Sequence, residues 1–491
     1  MADPKPCWEC LKKRLACDFT RPACRKCRLR NTECPGYGKK PLKWLEPGQT
    51  RSKGRRAKNE SNIIRLCLKD TSETSTVVEA IKYYNNHICP DLEVVGPAGI
   101  SESPFFVQFA SASDLPASIR QTMVSIALAH RILQFEPGFE SDRATLSTRL
   151  QIHRGGAIKE LAREVKACSE ANIATLAAVL TFLFAEIQQC LSPNWRLHCN
   201  AAHAIMDTMG GMPMLILSQP FLRHLLRYFV LIEVLGSTTS PNVEPDKARR
   251  QLEIISLLPH LYGDGLSTVL PWLGGPPPEL VQHLILINYW RSRTAESISC
   301  QNPQRYSPLE LLDRVVSFSV EDWVSGIHRK QHTGDVKMDS ERLPLGLGGW
   351  EKLPYIFQSS VVLYCISSLF DSDSTPCTLP DTANERVGHI GIGALRRTHR
   401  DALLRDLKDL ASPSQAQLRK AVLWPLVMAG IEVDATDTAS KVFILSELSW
   451  MSKTLGTASP LIAKEYLEKL WASSGAKCWN DLFDRCYVFA M

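Results

Sequence analysis

Six cysteines fall within the first 34 residues: Cys7, Cys10, Cys17, Cys24, Cys27 and Cys34, spaced C-x2-C-x6-C-x6-C-x2-C-x6-C. The pattern is one half-motif, C-x2-C-x6-C, written twice. The segment around it offers few large apolar side chains, chiefly Trp8, Leu11, Leu15, Phe19 and Leu29. So short a stretch cannot bury enough surface to fold without a staple. Structural zinc takes four tetrahedral thiolates, and its binding supplies folding free energy outright. Six thiolates serve two zinc ions only if two are shared between them. A single four-cysteine site with two spare thiols, or a set of redox cysteines, are the alternatives. The symmetric doubling favours two Zn2+ per chain.

The charge of the chain is unevenly placed. Residues 1–60 hold 17 Lys/Arg and 6 Asp/Glu, a net of +11, whereas the remainder holds 40 and 45, a net of −5. A basic head on a mildly acidic body reads as a polyanion-binding module attached to something with another task. Nucleic acid suits it better than a membrane surface, because the basic segment has no long apolar face. The start of the chain has no apolar run, so no secretory signal is expected, and the longest charge-free apolar stretch, residues 171–185, is too short to span a bilayer. Sixteen cysteines without such a signal point to a reducing, intracellular setting and to metal rather than disulfides.

Lys12, Lys13 and Arg14 lie between the second and third cysteines, where each half-motif is expected to place a short helix. A helix entering the major groove can offer Lys or Arg to the O6 and N7 acceptors of guanine. Lys12, Arg25, Lys26, Arg28 and Arg30 suit phosphate contacts, which set register and salt dependence.

The run from Cys7 through Arg14, Cys17 and Asp18, then Arg21, Pro22, Cys24 and Cys27 to Cys34, resembles the fungal binuclear zinc cluster DNA-binding domain. All six ligand positions match, as does the proline two residues before the fourth cysteine. By that resemblance Cys7 and Cys24 bridge both metals, Cys10 and Cys17 complete one site, and Cys27 and Cys34 complete the other. It also implies that the first helix reads a CGG-type triplet in double-stranded DNA, with Lys13 and Arg14 in the base-reading role. The expected setting is the nucleus, with RNA polymerase II transcription as the process and the transcription machinery as partner. Leu11 and Ala16 stand where the family commonly carries basic residues. They favour the alternative, a nuclear interaction factor whose zinc cluster no longer reads DNA specifically.

Residues 37–71 read as a basic linker rich in Pro and Gly. Lys39, Lys40 and Lys43, and then the basic run 51–58, suit nuclear import or tracking of a DNA backbone. Ile63, Ile64, Leu66 and Leu68 form one brief apolar patch rather than three or four heptads, so no zipper is expected. The chain then binds as a monomer, or pairs as a homodimer through its large domain.

Residues 72–491 read as an all-α regulatory domain. Apolar residues recur every three to four positions over 77–88, 119–135, 173–187, 195–209, 221–235, 280–289, 416–427 and 461–471. Segments 80–85, 194–198, 270–274 and 423–430 resemble, in order, the fungal-specific transcription factor domain that follows this type of cluster. Catalysis has no visible constellation: there is no Walker A loop, G-x-S-x-G elbow or H-E-x-x-H helix. The glycine-rich run 388–393 lacks the dinucleotide order and reads as a loop. His198 and Cys199 are adjacent on a helix and therefore face different ways. Residues 173–187 and 221–235 read as packed core rather than pocket walls, and the aromatic tail 479–489 as a docked final helix.

Overall fold

Each cysteine half-motif builds one short helix: α1 (Trp8–Lys13) in the first and α2 (Arg25–Leu29) in the second. The copies correspond at an offset of 17 residues down to single hydrogen bonds. Cys7 and Cys24 are the N-caps, their sulfurs accepting the N–H of Cys10 at 3.4 Å and of Cys27 at 3.3 Å. Beyond each helix a left-handed residue follows, Arg14 (φ 53°) and Asn31 (φ 49°). The N–H groups of Leu15 and Thr32 then close on the carbonyls of Cys10 and Cys27, at 2.9 and 3.1 Å. The helices therefore start at the first cysteine of each half-motif, not between the second and third, because a sulfur satisfies the first-turn N–H groups there.

The computed structural model describes residues 6–37, 73–92, 107, 114–135, 140–167, 172–189, 194–262, 275–293, 306–332, 349–370, 391–473 and 478–490. Two units divide the chain, Met1–Thr71 and Ser72–Met491. Among the described residues the regular elements are helices and none is a strand. None of those helices is long and apolar enough to cross a membrane. The basic runs of the linker, the patch at 63–68, segment 270–274 and residues 388–390 lie outside the described residues.

The second unit opens with α3 (Glu73–Tyr83), which passes through a π-helical turn, Tyr84–Ile88. Then come α4 (Ala117–Leu133), α5 (Glu140–Ala167), α6 (Ile173–Gln189), α7 (Trp195–Thr208), α8 (Gly211–Ser218), α9 (Arg223–Thr238) and α10 (Pro245–Ile254). Next are α11 (Pro278–Arg291), α12 (Pro308–Val316), α13 (Val320–His332), α14 (Lys352–Leu369) and α15 (Ile392–Leu410). The last are α16 (Leu423–Glu432), α17 (Thr438–Leu455) and α18 (Ser459–Ala472). Val77 and Ile81 of α3, Val124 and Leu128 of α4, and Leu146 and Leu150 of α5 form a small core of their own.

The main core gathers around α14, which packs against α11, α12, α15 and α16 and is buried on every side from Ile356 to Ser367. Buried charges in this unit are paired, as unpaired ones would be costly. Arg154 holds Glu186 at 2.6 Å and Arg419 holds Glu447 at 2.7 Å.

Two expected helices come out differently. The stretch 416–427 is broken into a turn, Ala416–Arg419, a 3-10 turn, Lys420–Val422, and then α16. Pro425 has no N–H and fits only the first turn of a helix, so α16 restarts two residues before it. The tail is docked, as expected, but its only helical piece is the 3-10 turn Trp479–Leu482. Side chains of the body take over its backbone groups: Trp195 Nε1 donates to the carbonyl of Cys486 at 3.1 Å and Thr239 Oγ1 to that of Tyr487 at 2.9 Å.

Candidate metal centre and nucleic-acid interface

The two caps bring six sulfurs together. Cys7, Cys10, Cys17 and Cys24 form one group of four and Cys7, Cys24, Cys27 and Cys34 another, the sulfurs of each within 4.8 Å of one another. Cys7 and Cys24 are common to both. The Cys7–Cys24 and Cys10–Cys24 sulfurs are 3.7 Å apart and the Cys7–Cys27 sulfurs 3.8 Å. A disulfide needs about 2.0 Å. Four thiolates placed tetrahedrally at about 2.3 Å from a zinc ion lie roughly 3.8 Å from each other. The spacing fits metal ligation and not oxidation, and all six are free thiols.

Burial supports the same reading. Cys7, Cys10, Cys24 and Cys27 are buried while Leu11, Phe19 and Leu29 are exposed, so sulfur takes the place of an apolar core. Thiols packed this closely ionise unevenly. Burial pushes Cys7, Cys10 and Cys27 up. Burial opposes ionisation of Cys17 too, yet the N–H groups of Cys7 and Phe19 and the Tyr37 hydroxyl outweigh it and bring it down to about 7. The N–H of Cys24 draws Cys34 down. A divalent cation removes the conflict by holding thiolates deprotonated.

Two supporting residues were missed in the sequence. Asp18 accepts from the Thr20 hydroxyl and from the N–H of Arg25 at 3.1 Å, tying the loop after Cys17 to the start of α2. Its carboxyl is held below the usual carboxylate range, first by Thr20 and also by Arg25 N–H. Tyr37 donates to the carbonyl of Thr20 at 2.8 Å, lies 3.8 Å from the Cys17 sulfur and has the Arg21 guanidinium over its ring at 5.5 Å. Three residues after the last cysteine, it closes the module on itself. An aspartate directly after a cysteine is a weak signal for a cap; Tyr37 had none.

Lys12, Lys13, Arg14, Arg25, Lys26, Arg28 and Arg30 are all exposed. Lys12 and Lys13 form the last turn of α1, while Arg14 is its C-cap rather than a helical residue. Lys13 pairs with Glu9 at 3.2 Å, an exposed contact weak enough to yield to a stronger acceptor. Arg28 donates to the carbonyl of Ala23 at 3.2 Å, which steadies α2 as well as presenting charge.

The helical body offers no comparable constellation among its described residues. Cys199 is buried and His198 packs edge-on against Phe182 at 5.1 Å. Burial pushes the His198 imidazole down. A cavity between Tyr228, Leu235, Phe357, Trp424 and Phe489 measures about 10 Å³, room for one water. Residues 173–187 and 221–235 are packed core there.

Two family models match the chain. The fungal Zn(2)-Cys(6) binuclear cluster domain covers residues 5–43, and the fungal specific transcription factor domain covers residues 79–487. A protein of Leptosphaeria maculans, the phomenoic acid biosynthesis cluster-specific transcriptional regulator, is 27% identical over 99% of this chain and 89% of its own length. No solved structure matches. These are DNA-binding transcription factor families, not enzymes, and they imply zinc binding and a nuclear role. A match running from residue 79 to 487 behind a six-cysteine cluster places the protein in the family of fungal transcription factors with a fungal specific transcription factor domain, and makes it a transcriptional regulator.

Proposed function

We propose that the protein is a sequence-specific regulator of RNA polymerase II transcription, holding two zinc ions and reading a CGG-type triplet in the major groove. Cys7 and Cys24 bridge the metals, Cys10 and Cys17 complete one site, and Cys27 and Cys34 complete the other. Zinc supplies the cross-links that fix α1 and α2 against each other. Lys13 and Arg14 face bases, while Lys12, Arg25, Lys26, Arg28 and Arg30 take phosphates and fix register. Residues 1–36 form the cluster, 37–71 a basic linker and 72–491 the regulatory body. Through that body the chain pairs as a homodimer and reaches the transcription machinery, in the nucleus. The name of the Leptosphaeria relative suggests the genes of a biosynthetic cluster as targets.

The observation that carries the reading is the pair of four-sulfur groups sharing Cys7 and Cys24. Metal analysis of the purified chain should return two zinc per protein. Cys24→Ser should lower both sites and Cys34→Ser one; a single zinc in the parent chain would defeat the binuclear assignment. Selection from a random oligonucleotide pool should enrich a CGG-type triplet. Leu11 and Leu29, exposed on α1 and α2, favour the second reading, a cluster that contacts protein. A zinc-loaded chain that enriches no motif would decide for it.

A further inference from the structure

One face of α5 carries a pattern that the chain itself does not use. The helix is 28 residues long and buries Leu146, Leu150, Ala157 and Leu161. Its other side exposes Ile152 (66%), Ile158 (43%) and Val165 (44%) to solvent. Between the two isoleucines lies Gly155, in the middle of the helix, where glycine costs about 1 kcal/mol relative to alanine. A Cβ at Gly155 meets nothing within 4 Å and the residue has no left-handed φ, so among the described residues nothing requires glycine there. Close approach by something outside the chain does require it.

The face is symmetric about that residue. Ile152 and Ile158 stand three positions to either side of Gly155 and share its face. Seven positions out are Thr148 and Ala162, both uncharged. A two-fold axis through Gly155 sets two such helices antiparallel, with Ile152 of each against Ile158 of the other and glycine facing glycine at the crossing. The last-turn Lys166 then lies within a turn of the first-turn Glu140 of the second copy, and the helix dipoles oppose. A parallel pairing would instead set Lys159 on Lys159 and Lys166 on Lys166.

We propose that this face of α5 is the surface through which two copies of the chain associate, antiparallel about Gly155. Self-complementarity about a single residue is the mark of an isologous interface, which is why the occupant is a second copy and not another protein. The proposal rests on the reading that the chain pairs through its helical body, and it names the place.

Sedimentation velocity of the zinc-loaded full-length chain over a range of concentrations tests it. The parent chain should dimerise, and Gly155→Leu and Ile158→Glu should each weaken dimerisation roughly tenfold or more. Gly155→Leu should do so without lowering the melting temperature, since its side chain enters open space in the monomer and leucine favours a helix. Ile152→Cys mixed with Ile158→Cys should cross-link under mild oxidation, and neither alone. A parent chain that stays monomeric at its highest soluble concentration overturns the homodimer reading itself. A dimer unaffected by both substitutions keeps that reading and overturns this surface.

Discussion

Arg14 ends α1 in the left-handed region, φ 53°, where a side chain other than Gly, Asn or Asp costs about 1 kcal/mol or more. Its counterpart 17 residues on is Asn31, which tolerates that conformation. Asparagine or glycine would serve the backbone better at residue 14, so the guanidinium is the reason for arginine. Arg14→Gly should leave the zinc-loaded cluster as stable or stabilise it by up to about 1 kcal/mol. The same change should weaken DNA binding by roughly 1–3 kcal/mol. Thermal melting and mobility-shift titration read the two effects separately, and unchanged affinity would remove Arg14 from the DNA contacts. At this scale the six cysteines were legible because ligand spacing is local. Asp18 and Tyr37 were not, because their partners are brought to them only when the loop after Cys17 folds back.

Among the elements, α9 shows how the body receives its tail. A Cβ on Gly236 would lie 2.6 Å from the Trp195 ring and 3.0 Å from Val488. Gly236→Ala should therefore push both away and destabilise the helical body by roughly 1–3 kcal/mol, read as a lower urea midpoint. An unchanged midpoint would mean the tail does not seat there. His283 on α11 gives the body an acid limit: burial, with the Arg314 charge as a lesser cause, brings its imidazole from the usual 6.5 down to about 4. The unfolded chain then takes up the proton first, so the stability tied to this group is intact above pH 6.5 and is lost as the pH falls through 4. The loss amounts to about 3 kcal/mol at most. His283→Gln should flatten the urea midpoint over that interval, and a slope equal to the parent's would exonerate His283. Helices with one apolar face, such as α4, α6 and α18, were visible as a 3.6-residue period. α14 was not, because a helix buried on all sides has no polar face to mark the period.

For the molecule as a whole, the two units differ in what holds them. The first has a core of cysteine sulfurs, the second a core of Leu, Ile, Val and aromatic side chains. Chelation of zinc should therefore unfold α1 and α2 and abolish DNA binding while the far-ultraviolet helical signal stays nearly intact. Loss of most of that signal on chelation would show that the body depends on the metal as well. The sequence alone determined that a metal module heads the chain and that a helical body follows. Both rest on short-range regularities, the spacing of ligands and the repeat of apolar residues, that survive without coordinates. Only the tertiary structure decided that Cys7 and Cys24 stand in both sulfur groups, that Tyr37 closes the module, and that the tail is bound as an irregular segment. It alone turned the two isoleucines and one glycine of α5 into a single exposed face. Each of these depends on which distant residues meet, and that is settled by packing.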